Sequence, residues 1–173
     1  MRVICDHPGP GVARIIFSET GRRLVFRCDP AAHTVTAIDH TGRVVFAMGR
    51  HGRELGQFDT PLDLVFVRPE FFGEPMVPES LDMVWLAVAD YGNRRVQVLE
   101  LNGAVVGSVP TDLGDDAIGA PCGLRWRSPL LEIDGTDGGR SSMHLSGALL
   151  WSATQSVSAP RRPWLHIPVL ERA

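Results

Sequence analysis

Short apolar segments, separated by turns that contain glycine and polar residues, make up most of the chain from residue 12 to residue 110. In chain order the apolar segments read ARIIFS, LVFRC, VVFAM, LDLVFV, VWLAVAD and AVVGSV, and the turns include HTGR and LNGA. Segments of this length that are rich in β-branched and aromatic residues favour strands. No long stretch has the 3.6-residue period of an amphipathic helix. The pattern therefore predicts an all-β protein of antiparallel strands joined by tight turns.

A repeat lies within this pattern. The segment from Cys28 to Gly49 aligns without a gap on the segment from Ala89 to Pro110, and Asp29 falls on Asp90, a constant offset of 61 residues. Each copy follows two apolar segments, so that one copy with its preceding segments accounts for four strands in meander order. The repeat predicts successive four-stranded antiparallel units.

A third and more degenerate copy begins at Pro121, where PCGLRWRS resembles the segment PLDLVFVR that begins at Pro61. We place the second strand of this copy in GALLWSATQ, from Gly147, which puts Thr154 at the position of Asp90. The third strand is expected in WLHIPVLER, after which the chain ends. The fourth strand of this copy is therefore missing.

The segment from Gly49 to Gly103 resembles an NHL repeat, the unit of one family of β-propellers. Its sequence contains a glycine-punctuated linker, GRHGRELGQF, then a proline and an apolar strand, and then the polar signature VADYGNRRVQV. Asp90, Asn93 and Arg95 match that signature residue by residue. The resemblance implies one domain, residues 1–173, with propeller blades at 12–49, 58–110 and 118–173.

The signature residues have a structural interpretation. Asp and Asn beside a tight turn bond backbone amides, and an Arg offers five donors to neighbouring carbonyl groups. The first copy keeps only the aspartate. We expect these residues to hold the fold, and a role in a ligand site is the alternative: Asp29, Asp90, Asn93 and Arg95.

Three blades are too few to close a ring, since propellers use about four to eight. The resemblance implies six blades, and closed symmetry is usual in homo-oligomers. We therefore expect three four-stranded antiparallel blades that form half of a six-bladed β-propeller completed by homodimerisation. The strand-like segment at residues 1–7 is expected to complete the last blade, supplied by the partner chain. The alternative is a frayed terminus.

Two long connections distinguish the second and third copies from the first. They read RPEFFGEPMVPESLD and LLEIDGTDGGRSSMHLSG, and both follow the first strand of a blade. Equivalent connections lie on one face of a propeller, and exposed loops often carry function. We expect the second loop to be mobile, and its acidic residues lack the spacing of a calcium loop. The candidate binding residues are Phe71, Phe72, Met76, Arg140 and His144; the alternative is that the aromatic residues pack on their own blade or cover the dimer seam.

Composition narrows the partners and the compartment. The chain has 173 residues with a formal charge of −3, so it lacks the basic surplus of a typical nucleic-acid-binding protein. RNA binding stays an alternative because some NHL propellers hold single-stranded RNA. The three cysteines, Cys5, Cys28 and Cys122, show no CxxC spacing. With no signal-like or membrane-spanning apolar run, we expect a cytoplasmic protein without a membrane partner.

Motifs for catalysis and metal binding are missing from the sequence. The six histidines show no HExxH or HxxEH spacing, and there is no GxSxG or phosphate-binding glycine loop. His33, His40 and His51 fall in or beside predicted turns and are interpreted as surface residues. The sequence thus predicts no catalytic residue, no metal and no cofactor. We expect a non-catalytic, homodimeric binding module for a protein or small ligand; the alternative is a lyase-like or hydrolase-like enzyme with its active site in the central channel at the dimer axis.

Overall fold

The computed structural model describes residues 3–17, 23–68, 84–112 and 117–145. These residues form three antiparallel sheets of five, four and three strands, which confirms the all-β prediction. A single turn of 3-10 helix, Tyr91–Asn93, joins two of the strands. In the described part of the chain, no helix has the length and apolar character needed to cross a membrane.

The first sheet is a five-stranded meander in the order β1-β2-β3-β4-β5. Its strands are β1 (Val3–Gly9), β2 (Val12–Phe17), β3 (Arg23–Asp29), β4 (Thr34–Asp39) and β5 (Val44–Met48). The middle sheet is a four-stranded meander of β6 (Pro61–Val67), β7 (Trp85–Asp90), β8 (Arg95–Glu100) and β9 (Val105–Pro110). The third sheet contains β10 (Pro121–Arg127), β11 (Leu130–Gly135) and β12 (Arg140–His144).

The strand registers reproduce the sequence repeat. In the first sheet Val35 pairs with Met48, and in the middle sheet Val96 pairs with Val109, which are the same positions shifted by 61. Each β4–β5-type pair also carries a register shift at the same place. The offset therefore describes equivalent backbone, and residues 61 apart in these two sheets are called equivalent below.

The middle sheet lies between two apolar cores, one on each face. One core joins it to the first sheet through residues such as Phe26, Leu64 and Leu86. The other joins it to the third sheet through residues such as Val65 and Ile133. Because both faces are covered, every residue of β7 is buried, as a continuous apolar run indicates. Strands of the outer sheets alternate instead, as in β11.

One buried carboxylate connects all three sheets. Asp63 is 3% exposed, and its Oδ1 accepts hydrogen bonds from the backbone N–H of Gly11 (2.6 Å) and of Leu64 (2.9 Å). His7 Nε2 lies 3.1 Å from the same oxygen. Oδ2 accepts the backbone N–H of Leu124 at 2.8 Å. Asp63 thus fixes β10 and the β1–β2 turn against β6, which contacts both neighbouring sheets.

The N-terminal strand is placed differently from the prediction. Strand β1 pairs with β2, with Val3 opposite Phe17 and Gly9 opposite Val12, and so adds a fifth strand to the first sheet. The physical reason is the short turn at Pro10 and Gly11, where Gly11 takes the positive φ of 70° that a tight turn needs. Closing so short a loop costs little chain entropy compared with pairing distant segments. The structure therefore corrects the expectation that residues 1–7 complete the last blade.

The third copy is also built from other residues than predicted. The segment expected to be a long mobile loop forms β11 and β12, joined by a turn at 136–139. Strand β11 pairs with β10 as β7 pairs with β6, so Gly135, not Thr154, occupies the position of Asp90. The alternation of buried and exposed residues in Leu130–Gly135 was the missed strand signal. The strands expected after residue 146 lie outside the described residues.

Candidate functional site

Two linkers join successive sheets at the same edge of the molecule, and each forms a seam with the turn beside it. The first seam consists of linker 49–60 and the β3–β4 turn 30–33. The second consists of the described linker residues, 111–112 and 117–120, and the β7–β8 turn 91–94. Both linkers have the same closing hydrogen bond, from Phe58 N to Arg50 O (2.8 Å) and from Ile118 N to Thr111 O (2.9 Å). Phe58 and Ile118 are both buried. The two seams therefore share one backbone arrangement.

The NHL-like signature residues form one buried network. Asp90 is fully buried, and its Oδ2 accepts hydrogen bonds from Arg95 Nε (2.7 Å), Asn93 Nδ2 (2.9 Å) and Gln97 Nε2 (3.0 Å). Its Oδ1 accepts the backbone N–H of Asp59 at 2.7 Å. Four donors, one of them a guanidinium, thus satisfy a carboxylate that would be costly to bury alone.

The same network holds the first linker. Arg95 donates to the carbonyl oxygens of Arg53, Glu54 and Gln57 at 2.8–3.0 Å. Asn93 Nδ2 donates to the carbonyl of Gly52 at 2.8 Å. These bonds bind a loop without regular structure to the middle sheet, so every one of these signature contacts lies within the fold.

Gln97 belongs to this network and was missed from the sequence. Its Nε2 donates to Gln57 O at 2.7 Å, and its Oε1 accepts the backbone N–H of Gly56 at 2.9 Å. It is fully buried, which is unusual for glutamine. The sequence signal for this role is a polar residue that stands between Val96 and Val98 inside the apolar part of β8.

Asp29, the equivalent of Asp90, accepts fewer hydrogen bonds. Its Oδ1 accepts one bond, from the backbone N–H of Ala32 at 2.9 Å, and the residue is exposed. It caps the β3–β4 turn locally and does not reach a linker in any hydrogen bond described for it.

The first seam brings two histidines and a carboxylate together. His33, His51 and Asp59 each direct one ligand atom into a space where all three atoms lie within 4.8 Å of one another. Asp59 Oδ1 is 3.6 Å from His33 Nδ1 and 3.9 Å from His51 Nε2. The two imidazole rings are 4.3 Å apart between centroids. In sequence the three residues look scattered, because only the folded linker makes them neighbours.

The second seam forms an open pocket of about 300 Å³. Its walls come from the β7–β8 turn, the second linker and the β11–β12 turn: Tyr91, Gly92, Arg94, Gly119, Ala120, Thr136 and Asp137. The Arg94 side chain is 63% exposed, and its Nη1 lies 3.9 Å from Asp112 Oδ2. Arg94 has a left-handed backbone with φ of 50°. The pocket therefore offers a cationic donor, Arg94, on one turn and an anionic acceptor and a hydroxyl, Asp137 and Thr136, on another.

The structure describes only part of the candidate binding residues from the sequence. Phe71, Phe72 and Met76 lie outside the described residues. Arg140 starts β12 and donates from Nε to Asp134 Oδ1 at 2.6 Å, which raises the pKa of its guanidinium. The backbone of His144 ends β12, and its side chain lies outside the described part. Arg140 does not line the pocket of the second seam.

Two further buried groups, the Cys28 thiol and the Asp63 carboxylate, are not available to react with a substrate. Burial, reinforced by the negative charge of Asp63, raises the pKa of the Cys28 thiol well above its ordinary value, so this cysteine stays neutral. Asp63 itself is occupied by the backbone donors described above. Both groups therefore serve the packing of β2, β3 and β6.

No protein-family model matches the chain, and no curated protein is significantly similar to it in sequence. The geometry of the two seams therefore carries the functional argument.

Proposed function

We propose that this protein is a non-catalytic binding module that takes a small polar ligand in the pocket of the second seam. The observation that supports it is the pocket itself, in which Arg94 from the β7–β8 turn and Thr136 and Asp137 from the β11–β12 turn surround one open space. Ligand sites of this kind combine a concave surface with a few polar groups that fix orientation. Arg94 suits a carboxylate on the ligand, and Asp137 suits a hydroxyl or ammonium group.

The state of the buried ionisable groups supports binding over catalysis. Asp63 and Asp90 are each satisfied by hydrogen bonds inside the fold. The Cys28 thiol is held in its neutral form, which is a poor nucleophile. A channel-centred enzyme would need an ionisable group that is available to substrate at the inner strands, and Asp63 is not available.

The proposal extends to the architecture. Strands β2, β6 and β10 come from successive sheets and lie next to one another, as the inner strands of propeller blades do. We take the chain to be part of an NHL-type β-propeller in which a second copy completes the ring. None of the cysteines forms a disulfide, which supports a reducing, cytoplasmic environment.

Ligand-observed NMR on the full chain tests the binding site, with amino acids and hydroxy acids as probes. We expect at least one probe to bind, and Arg94→Asn to weaken it about tenfold or more, the effect of losing one charged hydrogen bond. Asparagine suits the left-handed backbone at this position, so the fold is retained. Arg127→Ala, at the opposite end of β10, is the control. Equal affinity of wild type and Arg94→Asn would contradict the proposed site.

Light scattering tests the ring. We expect a mass of about twice 18.9 kDa for the full chain. A mass of one chain over the whole accessible concentration range would contradict closure by a second copy and leave the binding site to be judged by the NMR experiment.

A further inference from the structure

At the first seam, three side chains that can each offer an electron pair, His33, His51 and Asp59, converge on one space. His33 Nδ1 accepts the backbone N–H of Thr60 at 3.0 Å, so the neutral ring carries its proton on Nε2. Asp59 Oδ1, 3.6 Å from that Nδ1, is also an acceptor, and it receives the Thr60 hydroxyl at 3.1 Å. Two acceptors that face each other repel, and a cation between them removes the repulsion.

The backbone of the seam is constructed so that these atoms meet. His51 is bridged to Phe58, the residue before Asp59, and Gly52 N donates to Phe58 O at 3.1 Å. The two linker ligands are thus fixed relative to each other. His33 reaches them from the first sheet with a left-handed φ of 56°.

The position of Asp59 is fixed from the middle sheet. Its N–H donates to Asp90 Oδ1 at 2.7 Å, and its carbonyl accepts the N–H of Gly92 at 2.8 Å. Its side chain lies directly over Gly92, where any Cβ would collide with the carboxylate. The buried signature network therefore positions a partly exposed carboxylate.

We propose that His33, His51 and Asp59 bind one divalent transition-metal ion at the first seam. Two imidazoles and one carboxylate are the ligand set of zinc and related ions. Bonds of about 2.0–2.1 Å to such an ion place neighbouring ligand atoms about 3.3 Å apart at a tetrahedral centre. Asp59 Oδ1 lies 3.6 and 3.9 Å from the two imidazole nitrogens, and all three ligand atoms lie within 4.8 Å of one another, so metal binding draws them together by about 1.5 Å or less.

The movement that metal binding requires can come from rotation of the His51 side chain. The His51 side chain is 67% exposed, so its rotation meets little packing. On binding, His33 Nδ1 exchanges the Thr60 N–H for the metal. Water completes the coordination on the open side, since His51 is exposed and the other two ligands are partly exposed. The site thus joins a residue of the first sheet to the linker of the middle sheet.

The experiment is a titration of the full chain with Co²⁺, followed by visible absorption, and with Zn²⁺, followed by calorimetry. We expect one strong site per chain, with d–d bands from nitrogen and oxygen ligands. His51→Gln and Asp59→Asn each lower the affinity at least tenfold. His33→Asn does the same, and asparagine tolerates the left-handed backbone there.

His40→Gln is the matched control, because His40 is an exposed histidine of the same sheet that lies outside the cluster. It should bind metal like the wild type. Absence of a site in the wild type overturns the proposal, and so does binding that His51→Gln leaves unchanged, since the metal would then sit elsewhere. His51 is exposed, so its replacement does not depend on the fold surviving a core change, and thermal melting of each variant verifies this.

Discussion

The two copies of the repeat share one backbone but lie in different surroundings. The copy at 28–49 belongs to an outer sheet, with one face on a core, whereas the copy at 89–110 belongs to the middle sheet, with cores on both faces. At equivalent positions the first copy has exposed Asp29 and the second has buried Asp90. Identical side chains thus have different roles, because burial decides how many partners a carboxylate must have.

The two seams also differ in the side chains that their equivalent positions present. His33 and His51 are equivalent to Arg94 and Asp112 when the offset of 61 is continued. The first pair is two imidazoles beside the carboxylate of Asp59, and the second pair is a loose ion pair of opposite charges. One backbone arrangement therefore presents a metal-type ligand set at one seam and a polar pocket at the other.

Replacing the two equivalent aspartates should give the largest difference in stability between the two copies. We expect Asp90→Ala to lower the free energy of unfolding by about 3–5 kcal/mol, because it leaves a largely buried Arg95 without its carboxylate. Asp29→Ala should cost about 1 kcal/mol or less, since one exposed hydrogen bond is lost. Urea denaturation of both variants measures the difference. Similar losses would mean that the network around Asp90 adds nothing to stability.

A smaller effect is expected at the glycine beneath Asp59. The equivalent of Gly92 in the first copy is Ala31, which is exposed and has room for its methyl group. In Gly92→Ala the new methyl group would lie 2.6 Å from Asp59 Oδ2, so the carboxylate must move. We expect a loss of about 1–3 kcal/mol in thermal or urea unfolding. Gly9→Ala, where nothing lies within 4 Å, is the control, and an equal loss there would refute the steric explanation.

The ion pair of the second seam should matter little for stability. Arg94 and Asp112 are 63% and 39% exposed and 3.9 Å apart. Asp112→Asn should therefore change the unfolding free energy by less than about 0.5 kcal/mol, and added salt should reduce even that. Denaturation at low and high salt checks this. A loss above 1 kcal/mol, on the order of a well-placed charge pair, would show that the second seam depends on this pair structurally.

The smallest difference concerns pH and the turns at the far ends of the two copies. In the β4–β5 turn, bonds from the Thr41 hydroxyl and amide hold the pKa of Asp39 below its ordinary value. The β8–β9 turn uses Asn102 to accept the Ala104 N–H, and Asn102 does not titrate. A lowered pKa stabilises the fold above the ordinary aspartate value, and this contribution is lost as the pH falls through the lowered one.

We therefore expect wild type to exceed Asp39→Asn in stability at neutral pH and the difference to shrink on acidification below about pH 4. Urea denaturation at several pH values measures it. A difference that is constant with pH would assign the effect to the amide substitution and not to the charge.

The sequence predicted the strands and the turns of the first two copies, because alternation and the constant offset are local signals. It did not predict the β1–β2 hairpin, since HPGPG reads equally well as a linker. It also interpreted LLEIDG as part of a loop, because the glycines and acids of the following turn hid a strand whose residues alternate in burial. Strand pairing between sheets depends on competing partners, which one sequence does not rank.

The candidate sites were harder to predict than the strands. Asp90, Asn93 and Arg95 stand close together in sequence, so their cluster was visible, whereas Gln97 was hidden inside an apolar strand. His33, His51 and Asp59 come from a turn and a linker without regular spacing, and only the folded seam brings them together. The same holds for the pocket, whose walls come from two turns and a linker.

Asp63 has a consequence for how such a protein tolerates change over evolutionary time. Besides the His7 side chain, two main-chain amides reach it from neighbouring sheets, those of Gly11 and Leu124. Substitutions in those sheets replace side chains and leave main-chain amides in place, so mutations there do not remove these two bonds unless they introduce proline. The outer sheets can therefore diverge in sequence, as the third copy has, while a single acid in the middle sheet still bonds to both of them.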